Sequence, residues 1–214
     1  MAGSLALTID AWNDGGTIPD KYSFCIPADK GHITGGANIS PAISWSAGPE
    51  GTQSYAVICV DPDVPSVLDD FNQEGRMVSK DLPRVDLYHW VLVDVPAATT
   101  SLAEGAESDS VVPHGKPTGA VRHGVRGANG YGAFMAENPD MAGDYGGYDG
   151  PCPPWNDEIP HRYIFNVYAL DVASLGLNGV FDGAAALAAI EGHVLAEGTC
   201  TGIYSLNPDV REGM

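Results

Sequence analysis

What most limits the folds open to this chain is the shortness of its regular stretches. Runs of β-favouring residues recur at Leu5–Ile9, Tyr22–Ile26, Ile43–Ser46, Tyr55–Val60, Tyr88–Val95, Tyr163–Leu170 and Thr201–Ser205, most of them bounded by Gly, Pro, Asn or Asp. With 27 glycines and 16 prolines, the chain is cut into turns and has little room for long helices. Tyr55-Ala56-Val57-Ile58-Cys59-Val60 is apolar without alternation, as in a central strand covered on both faces. One helix is predicted: Asp182 caps its start, Leu187, Ile190 and Val194 recur at helical spacing, and Gly198 ends it. Many strands with one late helix predict an all-β-dominated fold, a β-sandwich, in a single domain over residues 1–214.

Charge narrows the partners. Lysines and arginines number 10 against 28 aspartates and glutamates, a net charge of −18. Nucleic acid is excluded on that ground, because phosphate backbones are bound by neutralising them with Lys and Arg. The same charge repels anionic membranes, although that field fades beyond about 8 Å at physiological salt. No stretch approaches the ~20 apolar residues of a membrane span, so stable insertion is not expected. Met1-Ala2-Gly3-Ser4-Leu5 has neither a basic nor an apolar leader region. Cys25, Cys59, Cys152 and Cys200 form no C-x-x-C pair and read as free thiols of a reducing compartment. A cytoplasmic location is therefore expected.

Three places put polar side chains where prolines or strand ends hold the backbone. In Asp61-Pro62-Asp63-Val64-Pro65, each proline fixes its own φ and pushes the preceding residue toward extended geometry. Asp61 and Asp63 are then either presented rigidly or simply cap a turn. In Tyr88–Val95, a period of two puts His89 on one face with Val91, Val93 and Val95, as a core residue or a ligand-facing one. Gly146–Pro154 is a glycine-bearing, proline-stiffened loop that can bring bare backbone to a ligand, and it leads to His161-Arg162-Tyr163. His161 and Tyr163 project to one side of the strand entrance and Arg162 to the other. Two long segments, Pro65–Leu87 and Glu107–Pro160, read as irregular, and loops of that length are often functional.

Taken in order, these motifs resemble the phosphatidylethanolamine-binding protein family, in particular its bacterial branch of Raf kinase inhibitor-like proteins. The residues that carry the resemblance are Asn38–Trp45, Gly48–Thr52, Asp61-Pro62-Asp63-x-Pro65, His89-Trp90, Gly150-Pro151-x-Pro153-Pro154 and His161-Arg162-Tyr163. The resemblance runs from about Asn38 to Tyr204. It implies an antiparallel Greek-key sandwich with a small anion pocket lined by Asp61, His89, Gly150, His161 and Tyr163. Val64–Pro65 matches a position where the family has a cis proline; Asp63, Pro65, Pro151, Arg122 and Arg126 are candidates for a rim or supporting layer. The ligand implied is phosphate, a phosphorylated small molecule or a phospholipid head group, without a cofactor. A homodimer and an inhibitory protein partner, protease or kinase, are further implications. Two segments, Ser66–Leu87 and Gly132–Gly143, are longer than in simple bacterial members, and Ser205–Met214 is too short for the C-terminal helix of the animal relatives.

In chemical terms, imidazole, phenol and backbone N–H groups can donate to phosphoryl oxygens, while an ionised Asp61 is expected to orient an imidazole and favour its charged form. Alternatively, Asp61 meets an ammonium group of the ligand. A metal-dependent hydrolase built on Asp61, His89 and His161, with Asp63, is a competing reading, although their spacing matches no local zinc motif. No G-x-S-x-G, P-loop or H-E-x-x-H motif is present, so a binding protein is expected rather than an enzyme. Asp70-x-Asn72-x-Glu74-Gly75 only superficially resembles a calcium loop and reads as solvated acidic chain. Arg122, His123 and Arg126 form a basic cluster that either rims the pocket or pairs with nearby carboxylates.

Overall fold

The computed structural model describes residues 2–214. Its strands are β1 (Gly3–Ser4), β2 (Leu7–Ile9), β3 (Gly16–Thr17), β4 (Cys25–Pro27), β5 (Ile33–Gly35), β6 (Ile43–Trp45), β7 (Ser54–Pro65), β8 (Arg84–Pro96), β9 (Ser101–Leu102), β10 (Gly119–Val121), β11 (Gly124–Arg126), β12 (His161–Leu170) and β13 (Val194–Tyr204). The α-helices are short: α1 (Tyr131–Met135), α2 (Gly183–Ile190) and α3 (Pro208–Arg211). The fold is thus mostly β with few helices. None of the described helices is long and apolar enough to cross a membrane.

The main sheet runs β1-β13-β12-β7-β8-β11-β10, with β3 also beside β13; β2, β6 and β9 form a second sheet, and β4 and β5 a third. Its centre is the antiparallel trio β12, β7 and β8. The unbroken apolar run of β7 is buried on both sides, because alternate side chains go to opposite faces. Tyr55, Val57 and Cys59 join Trp90, Leu92, Phe165 and Val167 on one face, packed with Ile43, Trp45 and Leu102 of the second sheet. That cluster draws side chains from Leu5 to Leu206. Ala56 and Ile58 join Val91 and Val93 on the other face, with Phe181, Ala186 and Ile190 from around α2. Each fully buried large apolar side chain contributes about 1.5–3 kcal/mol, so the core is anchored on this trio.

Strict alternation fails at two places on β8. Cys59 pairs with Trp90 but Val60 pairs with Tyr88, leaving His89 as an extra residue. Such a bulge redirects a side chain. His89 accordingly leaves the face of Val91 and Val93 and faces the rings of Tyr131 and Tyr163. A second irregularity around Asp94, whose φ is +55°, moves Val95 into the larger core cluster. A third bulge, in β7, falls between Asp61 and Val64, at the Asp-Pro-Asp turn.

The late helix is shorter than its periodicity predicts. Asp182 does cap it, accepting a 2.8 Å hydrogen bond from the Ala185 N–H, but it stops at Ile190. Gly192, at φ +86°, turns the chain, and Val194 opens β13 instead of a further helical turn. Ala196 to Gly198 pair with Val167 to Ala169, so tertiary strand pairing overrides the local pattern. The segment Glu107–Pro160 is less irregular than expected, since it contains β10, β11 and α1. The Val64–Pro65 bond is trans, as are all described peptide bonds.

The cysteine reading is corrected outright. Cys25 and Cys152 form a disulfide across a sequence separation of 127, and only Cys59 and Cys200 remain as buried free thiols. No local spacing marks this pair, which meets because β4 lies beside the Gly150–Pro154 loop. Disulfides persist in oxidising surroundings, so cysteine usage lends no support to a reducing compartment. Peptide mapping of non-reduced protein should link the Cys25 and Cys152 peptides, with two thiols alkylated only after unfolding. Reduction, or the Cys25→Ser/Cys152→Ser double variant, should lower stability by about 2–4 kcal/mol in denaturant unfolding, as expected for a bridge closing a long loop.

Candidate functional site

Adjacent strands bring the polar residues together. Asp61 lies near the end of β7, His89 at the β8 bulge, and His161 and Tyr163 two apart at the start of β12. All four line a cavity of about 290 Å³. Its other walls are the Cys25–Cys152 disulfide, Pro153 and Pro154, Tyr131, Phe134 and Met135 from α1, Phe71 and Asn72 from the long segment before β8, and Leu87 near the start of β8.

His161 sits between two carboxylates. Its Nδ1 is 2.7 Å from Asp61 Oδ2 and its Nε2 is 3.2 Å from Asp157 Oδ2. Ionised carboxylates only accept, so both ring nitrogens must carry protons and the ring is an imidazolium. Burial alone would lower its pKa, but Asp61 and Asp157 outweigh that and raise it to about 9. Each carboxylate has further partners. Asp61 Oδ1 accepts the Asp63 N–H at 2.8 Å. Arg84 grips Asp157 with two donors, at 2.6 and 3.1 Å. Asp63 takes the Arg162 N–H, Nε and Nη2 at 2.9, 2.8 and 2.7 Å. Burial acts against the ionised forms of Asp63 and Asp157, but Arg162 in one case and His161 with Arg84 in the other hold both below the usual carboxylate range. The aspartates Asp61, Asp63 and Asp157 are thereby matched by His161, Arg84 and Arg162.

His89 is in the opposite condition. Its Nδ1 lies 2.7 Å from the Asp149 carbonyl, which can only accept, so Nδ1 carries the proton. Burial pulls its pKa below the ordinary histidine value despite the nearby aspartates, so the ring is neutral at neutral pH. Its Nε2 is buried, bare and without a partner, and so is the Tyr163 hydroxyl. Burial pushes the Tyr163 pKa well up, so the phenol keeps its proton. The two rings stand nearly perpendicular with centroids 5.0 Å apart. Leaving such atoms unsatisfied costs about 1–3 kcal/mol each, and a ligand that meets both recovers it.

The carbonyl that fixes His89 is itself held from beneath. The fully buried Asp149 carboxylate accepts from Lys116 Nζ at 2.6 Å, Asn38 Nδ2 at 2.7 Å and Asn129 Nδ2 at 2.8 Å. Gly150 follows it but offers nothing to the cavity: its N–H donates to Asn38 Oδ1 at 2.8 Å and its carbonyl accepts from Tyr131. Glycine is required there because a Cβ would collide with the Tyr22 carbonyl. Pro151 likewise serves structure, its carbonyl accepting from the Phe24 and Cys25 N–H groups. Pro65 ends β7 opposite Arg84.

Arg122 and Arg126 lie elsewhere, with His123, along a separate shallow surface depression. Arg126 Nε is 2.7 Å from the buried Glu107 carboxylate, so of the two readings left open, ion pairing describes Arg126. A metal held by Asp61, His89 and His161 does not fit this arrangement, because both His161 nitrogens already face carboxylates. Sequence reasoning missed Asp157, Arg84 and the Asp149 hub. Asp157 stands four residues before His161, the one local hint available; the others come from segments without periodicity.

Residues 8–205 match the model of the phosphatidylethanolamine-binding protein family. A UPF0098 protein of Methanothermobacter thermautotrophicus is 33% identical over 198 residues, covering 92% of this chain and 97% of that one. The UPF0098 protein YbhB of Escherichia coli is 30% identical over 194 residues, covering 90% and 94%. Among solved structures, Escherichia coli YbcL, described as a member of the mammalian PEBP family, superposes with a TM-score of 0.66 at 25% identity, covering 95% of this chain and 99% of that one. A Chlamydia trachomatis homologue of the same family gives 0.62 at 28% identity, with the same coverage.

The His161 clamp makes stability depend on pH in a definite direction. A histidine whose pKa rises on folding contributes fully below its unfolded value, and the contribution disappears as pH rises through the folded value. Unfolding free energy should therefore fall between about pH 6.5 and about pH 9, by up to about 3 kcal/mol from this group. Asp157→Asn and Asp61→Asn should each shrink that alkaline loss in urea titrations across this range. An unchanged pH profile in both variants would contradict the clamp.

Proposed function

Because the chain belongs to the phosphatidylethanolamine-binding protein family, we propose that it is a binding protein whose cavity takes a small phosphorylated molecule at its His89–Tyr163 end. The observation that carries this reading is the pair of buried, unpartnered atoms, His89 Nε2 and the Tyr163 hydroxyl, on the wall of one cavity. A phosphoryl group in its monoanionic form supplies what both need: a P–OH donates to the His89 lone pair, and a phosphoryl oxygen accepts from Tyr163.

Asp61 and His161 act behind these two groups. Their charges are already matched, so they position the wall without contributing a free cation or anion. The predicted pair of donating histidines is thereby replaced by one acceptor and one donor. Binding without a surplus of positive charge accords with a chain of net charge −18, in which a strongly charged dianion is disfavoured.

Two routes give the same pH dependence. Acid protonates either the phosphate or His89, and each makes the second hydrogen bond possible. Calorimetric affinity for inorganic phosphate should therefore rise as pH is lowered from about 8 to about 5.5, while a flat profile would remove His89 from the account. Tyr163→Phe should weaken phosphate binding roughly threefold to tenfold without changing the circular dichroism spectrum, the loss expected for a single hydrogen bond.

A further inference from the structure

On the binding reading above, we propose that the phosphate monoester this cavity selects carries a compact apolar ring as its substituent, rather than a cationic head or a long chain. Beyond the His89–Tyr163 pair the cavity is walled by Phe71, Phe134, Met135, Leu87 and Ile33. Phe71 and Phe134 come from the two long segments, 66–87 and 132–143, and their rings tilt toward each other with centroids 6.2 Å apart. Phe134 is 39% exposed, an open aromatic edge on an otherwise strongly acidic chain. An aromatic guest on this wall gains both burial and ring–ring contact.

Other substituents are poorly served. An ammonium group would meet only carboxylates whose charge is already paired, Asp61 with His161 foremost. Both Asp61 oxygens are engaged, by the Asp63 N–H and His161. Asp157 is held by Arg84 and His161, Asp63 by Arg162, and Asp149 by Lys116 and two asparagines. A hydroxyl-rich substituent would lose water for few partners: on the rest of the wall Tyr131 already donates to the Gly150 carbonyl, and Asn72 accepts from the Trp155 N–H through its Oδ1, which leaves only its Nδ2 to donate. Size excludes the largest candidates: about 290 Å³ is at the lower end for small-molecule sites, so a two-chain lipid cannot be enclosed.

The test is a calorimetric comparison, at one pH near 6, of inorganic phosphate, phenyl phosphate and phosphoethanolamine with the intact protein. Phenyl phosphate should bind about tenfold or more tightly than inorganic phosphate, and phosphoethanolamine no more tightly than inorganic phosphate. Phe134→Ala should narrow the ratio between phenyl phosphate and inorganic phosphate about threefold or more. Phe134→Leu should narrow it less, and it provides the reading if the alanine variant does not fold. Val180→Ala, exposed on the surface near α2, should leave the ratio unchanged. Phosphate binding with no preference for the ring would overturn this inference alone, as would a preference for phosphoethanolamine or a ratio insensitive to Phe134. Failure of all three ligands to bind would overturn the binding reading on which it rests.

Discussion

A buried imidazolium held between two carboxylates is the interaction on which this end of the molecule depends. His161 ties β12 to β7 through Asp61, and to the turn that precedes it through Asp157. Arg84 extends the tie to β8. Three adjacent strands of the main sheet are thus fastened at their ends by largely buried charges, in a setting where breaking one partner strands another. This fastening fixes where Tyr163 points, and the neighbouring bulge fixes where His89 points. On the cavity wall, His89 Nε2 and the Tyr163 hydroxyl are left without partners.

Much of the fold was legible because it rests on burial, which leaves a pattern in the sequence. The apolar run of β7 and the alternation of β12 predict their strands, and the His161–Tyr163 spacing predicts their shared side. The errors have a common origin. Val194 fits a helical period but is claimed by pairing with β12, and His89 fits a strand period but is displaced by one inserted residue. Both are decided by partners distant in the chain, which no local period records. The Cys25–Cys152 bridge is the extreme case, invisible until β4 and the proline loop are seen side by side.

For the site, residue types were readable and their roles were not. Asp61, His89, His161 and Tyr163 do line one cavity. Gly150 stands behind it with its N–H committed to Asn38, and Arg122 and Arg126 lie on another surface. Two histidines of one type become chemical opposites: two carboxylates charge His161, while a carbonyl and burial leave His89 neutral. Asp157 and Asp149 sit in turns and loops and Arg84 at the first position of β8, and apart from the four-residue spacing of Asp157 and His161 nothing local marks them. The apolar wall supplied by residues 66–87 and 132–143 likewise follows from where those segments fold back, not from their composition.

Protons are divided unequally between the His161 and His89 rings, and nitrogen-15 spectra of the histidine side chains read that division directly. In ligand-free protein at neutral pH, with signals assigned by His161→Gln and His89→Gln, both His161 nitrogens should be protonated. His89 should show a protonated Nδ1 and a bare Nε2. A His161 ring with one bare nitrogen, or a His89 ring carrying its proton on Nε2, would contradict the account.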